Sequence, residues 1–143
     1  MKIDLKRVND AVHFEASAAS TTVKVQIDGS PKMGGQELGV RPMEMVLMAL
    51  ASCSSLDLVA ILQKQRQTIE DFSVSAEGQR TDKIPQVFTS IHLEFNLTGD
   101  IDPIKAERAA ELAVKKYCSV HDMLASGGVD ITYSLLINKE SNA

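Results

Sequence analysis

Cys53 and Cys118 are the two cysteines of this chain, and their surroundings differ. Cys53 lies within the apolar run Pro42-Met-Glu-Met-Val-Leu-Met-Ala-Leu-Ala-Ser-Cys-Ser-Ser-Leu-Asp-Leu-Val-Ala-Ile-Leu62. Cys118 closes a charged amphipathic stretch, Lys115-Lys-Tyr-Cys-Ser-Val-His-Asp122. They are either unrelated core residues or a dithiol. Free cysteine packs readily as a small hydrophobe, which suits Cys53 in a packed helix. A nucleophilic role needs the thiolate, and therefore a nearby cation or hydrogen-bond donors. On an ideal helix Val46, Ala49, Asp57 and Ala60 share the face of Cys53. A carboxylate one turn away, Asp57, disfavours a thiolate unless a cation also reaches the site. Cys118 reads as a capping residue at a partly buried turn.

Other chemistries have less support. Cys118 and His121 could form a metal pair, but His13 and His92 fall in strands far away in sequence, and four-ligand spacing is missing, so no metal is expected. Gly34-Gly35 leads into Gln36-Glu37 without the Lys-Ser/Thr ending of a phosphate loop. No nucleophile elbow supports a serine triad.

The elements that must carry the cysteines follow from periodicity. Ile3 and Leu5, then Val12, Phe14 and Ala16, then Val23, Val25 and Ile27, alternate with polar residues and predict three short antiparallel strands. Ser30–Val40 holds three glycines and a proline and predicts a loop. Pro42 suits the first helical position, Glu44 suits the first turn, and the helix should run to about Lys64 or Arg66. This helix is apolar nearly all round, which predicts burial on most sides and a partner subunit to supply the cover. Phe72–Ala76 and Val87–Leu97 predict two more strands around a polar loop at Gly78–Pro85. Asp102 and Pro103 open a second helix to about 117. A short turn or helix over Val120–Ala125 ends at Gly127-Gly128, and a last strand spans 129–137. The order β-β-β-α-β-β-α-β predicts an α+β fold with a mainly antiparallel sheet and a long buried central helix.

At 143 residues the chain fits a single domain, 1–143. A net charge of −4 and 4% aromatics argue against nucleic-acid partners, since neither a basic stripe nor stacking surfaces are present. Glu44, Asp57 and three serines argue against the long helix as a membrane span. Met1–Arg7 has no apolar leader character. The expectation is a cytoplasmic protein, where a cysteine pair is more often catalytic or redox-active than structural.

Pro42, Glu44 and Val46-Leu-Met-Ala-Leu-Ala-Ser-Cys53 resemble the central helix of OsmC/Ohr proteins, in which an Asn-Pro-Glu-like start leads to an Ala-rich helix bearing a peroxidatic cysteine. Cys118-Ser-Val-His121 resembles the family's second motif, where a resolving cysteine follows the second long helix. The element order agrees along essentially the whole chain, and the match favours an OsmC-like subgroup. The resemblance implies an intertwined homodimer with packed central helices and active sites at the subunit interface. It also implies thiol-dependent reduction of organic hydroperoxides, with Cys53 as the peroxidatic and Cys118 as the resolving cysteine. No bound cofactor is implied, only an external dithiol reductant.

Two positions depart from the family pattern. In the peroxidases a Glu directly follows the helix-opening Pro and orients an activating Arg. Here that position is Met43, and Glu44, one residue later, is turned about 100° around the helix. The segment Ala16–Thr22, where the activating Arg usually lies, contains none, which leaves Arg7 and Arg41 as the nearest activating candidates and Glu44 as a supporting one. Arg41 precedes Cys53 by about 18 Å of regular helix, so only a second chain could bring it close. Two functions follow as expectations. One is a thiol peroxidase using the Cys53/Cys118 pair. The other is a redox-sensing or small-ligand-binding dimer on the same fold.

Overall fold

In the computed structural model, which describes residues 1–139, the chain forms two compact units. The first is Met1–Val46 and the second begins at Leu47, so the division falls inside the long helix.

The alternating N-terminal residues form the antiparallel sheet expected of them. Strand β1 (Ile3–Arg7) pairs with β2 (Phe14–Ala18), and β2 pairs with β3 (Val25–Ile27). The following loop contains a 3-10 turn at Pro31–Met33 and folds back so that Val40 bridges Ile27. Asp28 organises it. One carboxylate oxygen accepts the N–H groups of Gln36 at 2.9 Å and Leu38 at 3.1 Å, and the other accepts that of Gly29 at 2.7 Å. The returning backbone passes so close to Gly29 that a side chain on Gly35 would collide with the Gly29 carbonyl.

Helix α1 spans Pro42–Lys64. Pro42 occupies its first turn as its sequence position predicts. The Glu44 carboxylate accepts the backbone N–H of Arg41 at 2.8 Å, the N3-to-N-cap half of a capping box. At the other end Arg66 N–H donates to Gln63 O and Gln67 N–H to Leu62 O, both at 3.0 Å. That pair is a Schellman motif with Arg66 in the left-handed region at φ 57°. The expectation that α1 is covered on most sides is not met within one chain. Leu50, Ser54, Leu58 and Leu62, spaced by four, are buried, while Met48 and Leu56 remain 51% and 74% exposed. Apolar composition all round a helix does not specify which flank its own chain covers.

In the second unit β4 (Asp71–Arg80) pairs antiparallel with β5 (Phe88–Thr98). Gly78 and the two residues after it belong to β4, where a loop was expected, and the connecting loop is correspondingly shorter. Gly78 is opposite Ile91, and the Phe88 ring fills the space its side chain would need. Strand β6 (Asp130–Asn138) pairs with β5 in parallel, the one parallel pairing among the described strands. A parallel neighbour requires a crossover, and two helices supply it. Helix α2 (Pro103–Leu112) is capped by Asp102, whose carboxylate accepts the N–H groups of Ile104 at 2.8 Å and Lys105 at 3.1 Å. Its Ala106, Ala109 and Ala110 are buried, as are Ile91, Leu93, Phe95 and Leu97 of β5. Phe95 contacts Phe72 and Tyr133 at ring-centroid distances of 6.2 and 6.4 Å. The Tyr133 hydroxyl donates to Glu107 at 2.8 Å and ties β6 to α2.

Candidate active site

The second helix was expected to continue regularly to about residue 117. Instead α2 gives way to a π-helical turn at Ala113–Tyr117. The Cys118 N–H closes that turn by donating to Ala113 O at 3.1 Å, five residues back. The wider turn re-aims the residue that follows it, and such insertions are frequent at functional sites. Cys118 then adopts an extended backbone and becomes the N-cap of α3 (Ser119–Ser126). Its sulfur accepts the His121 N–H at 3.3 Å, the role usually taken by a serine or aspartate oxygen.

This arrangement brings the two cysteines together. The Cys53 thiol neighbours the Cys118 thiol, and both are free. Their exposures invert what their sequence settings suggest. Cys118, from the charged stretch, is 2% exposed, whereas Cys53, from the apolar helix, is half-buried. Burial pushes the Cys118 thiol above its ordinary range; the neighbouring Ser54 hydroxyl and the His121 N–H oppose that rise, while Cys53 adds to it. The thiol needing cover therefore sits in the protein, and the one with solvent access sits on α1.

The remaining candidates stay within the N-terminal unit. Arg41 pairs with Glu37 at 3.8 Å. Arg7 Nε donates to Ala11 O at 2.7 Å, and its guanidinium also donates to Asp10 O, so it holds the β1–β2 turn. Glu44 caps α1 through its own backbone neighbour. The structure thus gives all three a local partner.

Ser54 is the site residue that sequence reasoning missed. It is fully buried, and its hydroxyl has no aligned hydrogen-bond partner, although it is beside Cys118. Its signal was available as a serine at spacing four within the stripe Leu50, Leu58 and Leu62. A groove of about 440 Å³ runs along the same helix, lined by Asp57, Ala60, Ile61, Lys64, Gln65, Leu112 and Tyr117. The Gln65 side-chain oxygen is buried without a partner. Among the described residues no group of three or more His, Cys, Asp or Glu side chains is placed to hold a metal ion.

Comparison with known proteins identifies the architecture. The model of the family described as OsmC-like protein matches residues 34–134. Protein YhfA of Escherichia coli K12 is 47% identical over 94 residues, 65% of this chain and 69% of its own. The crystal structure of an OsmC-like protein from Mycoplasma pneumoniae superposes with a TM-score of 0.79 at 17% identity, over 96% of this chain and 98% of that one. The organic hydroperoxide resistance protein OsmC of Legionella pneumophila does so at 0.70 and 18%, over 95% and 97%. With the family model matched over residues 34–134 and the α+β fold shared with OsmC-like structures, this chain is a member of the OsmC family.

Proposed function

We propose that this protein is a thiol-dependent peroxidase that reduces organic hydroperoxides through Cys53 and Cys118 and acts as a cytoplasmic homodimer. The observation that carries the reading is the adjacency of the two thiols, one half-exposed and one buried. Family membership and likeness to a hydroperoxide resistance protein support it. In the proposed cycle the Cys53 thiolate attacks the distal peroxide oxygen, the O–O bond breaks, and the leaving alkoxide takes a proton to give the alcohol. Cys53 is then a sulfenic acid. Cys118 attacks that sulfur and water leaves, which produces the Cys53–Cys118 disulfide. An external dithiol reduces the disulfide and is itself oxidised. No bound cofactor enters the cycle.

The test is consumption of cumene hydroperoxide with dithiothreitol as reductant. The expected result is turnover by the native protein and none by Cys53→Ser. With peroxide and no reductant, Cys118→Ser should consume about one peroxide per chain and accumulate Cys53 as sulfenic or higher acids. Equal turnover in native protein and Cys53→Ser would overturn the proposal.

One observation favours a second reading, a redox-sensing or ligand-binding dimer. The groove along α1 is within the range of small-molecule sites, and Ala60, Ile61, Leu112 and Tyr117 give it an apolar lining. On that reading peroxide oxidises the pair once, without multiple turnover, and disulfide formation alters occupancy of the groove. Stoichiometric oxidation with no sustained peroxide loss would distinguish it from the enzyme.

A further inference from the structure

We propose that Ser54 and the His121 N–H form a receptor for the Cys118 thiolate, which makes Cys118 the leaving group when the disulfide is reduced and directs the incoming reductant to Cys53. The inference rests on the Cys53/Cys118 reading above and specifies how that pair is reset.

Three observations converge on the Cys118 sulfur. It is buried, so as a thiolate it would have no water to solvate it. It caps α3, an eight-residue helix, and its sulfur already accepts the His121 N–H at 3.3 Å. The helix end adds a partial positive charge. The third observation is independent of that helix. Ser54 on α1 is 0% exposed, is beside the sulfur, and has a hydroxyl without an aligned partner. A buried hydroxyl left unpaired is costly in the resting state. It becomes a charge-assisted donor once Cys118 carries negative charge, and such bonds are about twice as strong as neutral ones. A serine on a leucine stripe has a use there that an alanine would not have.

The reset step then has a direction. One thiolate of a small dithiol attacks the Cys53 sulfur, which is the accessible one. The Cys53–Cys118 bond breaks, its electron pair passes to the Cys118 sulfur, and Ser54 and His121 N–H donate to the new thiolate. The second thiol of the reductant loses its proton, which Cys118 takes up. It then attacks the mixed disulfide, releases Cys53 as a thiolate, and leaves as the oxidised cyclic disulfide. Access selects Cys53 for attack, since the Cys118 sulfur is buried. A leaving thiol of lower pKa departs faster, so Ser54 and the His121 N–H, by offsetting part of the rise that burial imposes on Cys118, speed its departure.

The experiment begins with the disulfide formed by diamide, so it does not depend on peroxide activity. Brief treatment with the monothiol N-acetylcysteine, acid quenching and peptide mass spectrometry locate the mixed disulfide. The adduct is expected on Cys53 with Cys118 free. Ser54→Ala should slow reduction by dithiothreitol roughly threefold to tenfold at neutral pH. In a Cys53→Ser background the same substitution should raise the midpoint of Cys118 alkylation by roughly one pH unit. Ser54→Thr, which restores the hydroxyl, should recover both readouts. An adduct on Cys118 would overturn the proposal, as would a Ser54→Ala protein with unchanged reduction rate and alkylation midpoint. Failure of diamide to join the two cysteines would overturn both this inference and the dithiol reading. Loss of peroxide turnover with the adduct still on Cys53 would reject the peroxidase and leave the receptor standing.

Discussion

At the scale of single residues the site divides its labour by burial. Burial pushes the Cys118 thiol up, because desolvation disfavours the charged form, while Ser54 and the His121 N–H pull the other way. Alkylation of reduced protein at pH 7 is therefore expected to modify Cys53 first. Cys118 should react only as pH rises past the ordinary thiol value of 9.0, which peptide mapping across a pH series would show. Equal labelling of both at pH 7 would contradict the burial argument. Asp28 is the opposite case. The N–H groups of Gln36 and Leu38, then that of Gly29, hold its carboxyl below the usual 3.8 against the opposing effect of burial. A depressed carboxyl pKa contributes stability that is fully present above the unfolded value and is lost as pH falls through the folded value. Asp28→Asn should lower the melting temperature at pH 7 and reduce the acid sensitivity below pH 4, measured by circular dichroism. A melting curve unchanged at pH 7 would show that the loop does not depend on this carboxylate.

At the scale of elements, helix ends decide where the cysteines lie. Asp102 satisfies two free N–H groups of α2, and Asp102→Ala is expected to cost about 1 kcal/mol in denaturant unfolding. The Schellman end of α1 places a non-glycine residue, Arg66, at φ 57°. Arg66→Gly is expected to stabilise the protein by about 0.5–1 kcal/mol, because glycine adopts the left-handed region without steric cost. A loss of stability would instead assign Arg66 a side-chain role. The π-helical turn matters more for function. It adds a residue to the last turn before Cys118, and that extra residue sets the direction in which the N-cap thiol points. Deleting one residue from Ala113–Tyr117 would shift Cys118 about 100° around the axis. The expected consequence is loss of the diamide-formed disulfide with most secondary structure retained.

At the scale of the whole molecule, each unit carries apolar surface that its own chain leaves uncovered. Ile3 and Leu5 on β1 are 61% and 54% exposed, and Met48 and Leu56 on α1 are similarly open. Helix α1 is long and apolar enough to cross a membrane, yet its leucine stripe packs into the protein as a core helix does. The dimer proposed above would cover its remaining faces. Light scattering at micromolar concentration should then return about 31 kDa, twice the 15.5 kDa chain. A 15.5 kDa species would leave those side chains exposed and argue against the dimer.

Local pattern was sufficient for most elements. Alternation located the strands, Pro42 and Asp102 marked the helix starts, and the two cysteine motifs were recognisable without coordinates. These are short-range effects, set by φ restriction, capping and side-chain period. Pairing and environment were not local. Nothing in the alternation of Ile131, Tyr133 and Leu135 distinguishes a strand parallel to β5 from an antiparallel one, since that depends on the crossover through α2 and α3. Gly78 looked like a turn because its backbone freedom is visible in sequence, whereas the Phe88 ring that requires its missing side chain is not. The chemistry divides in the same way. That Cys53 and Cys118 could form a dithiol was legible from residue type. Which of them is shielded, and that Ser54 faces the shielded one, depends on α1, the π turn and α3 converging, because burial and hydrogen bonding are properties of neighbours in space.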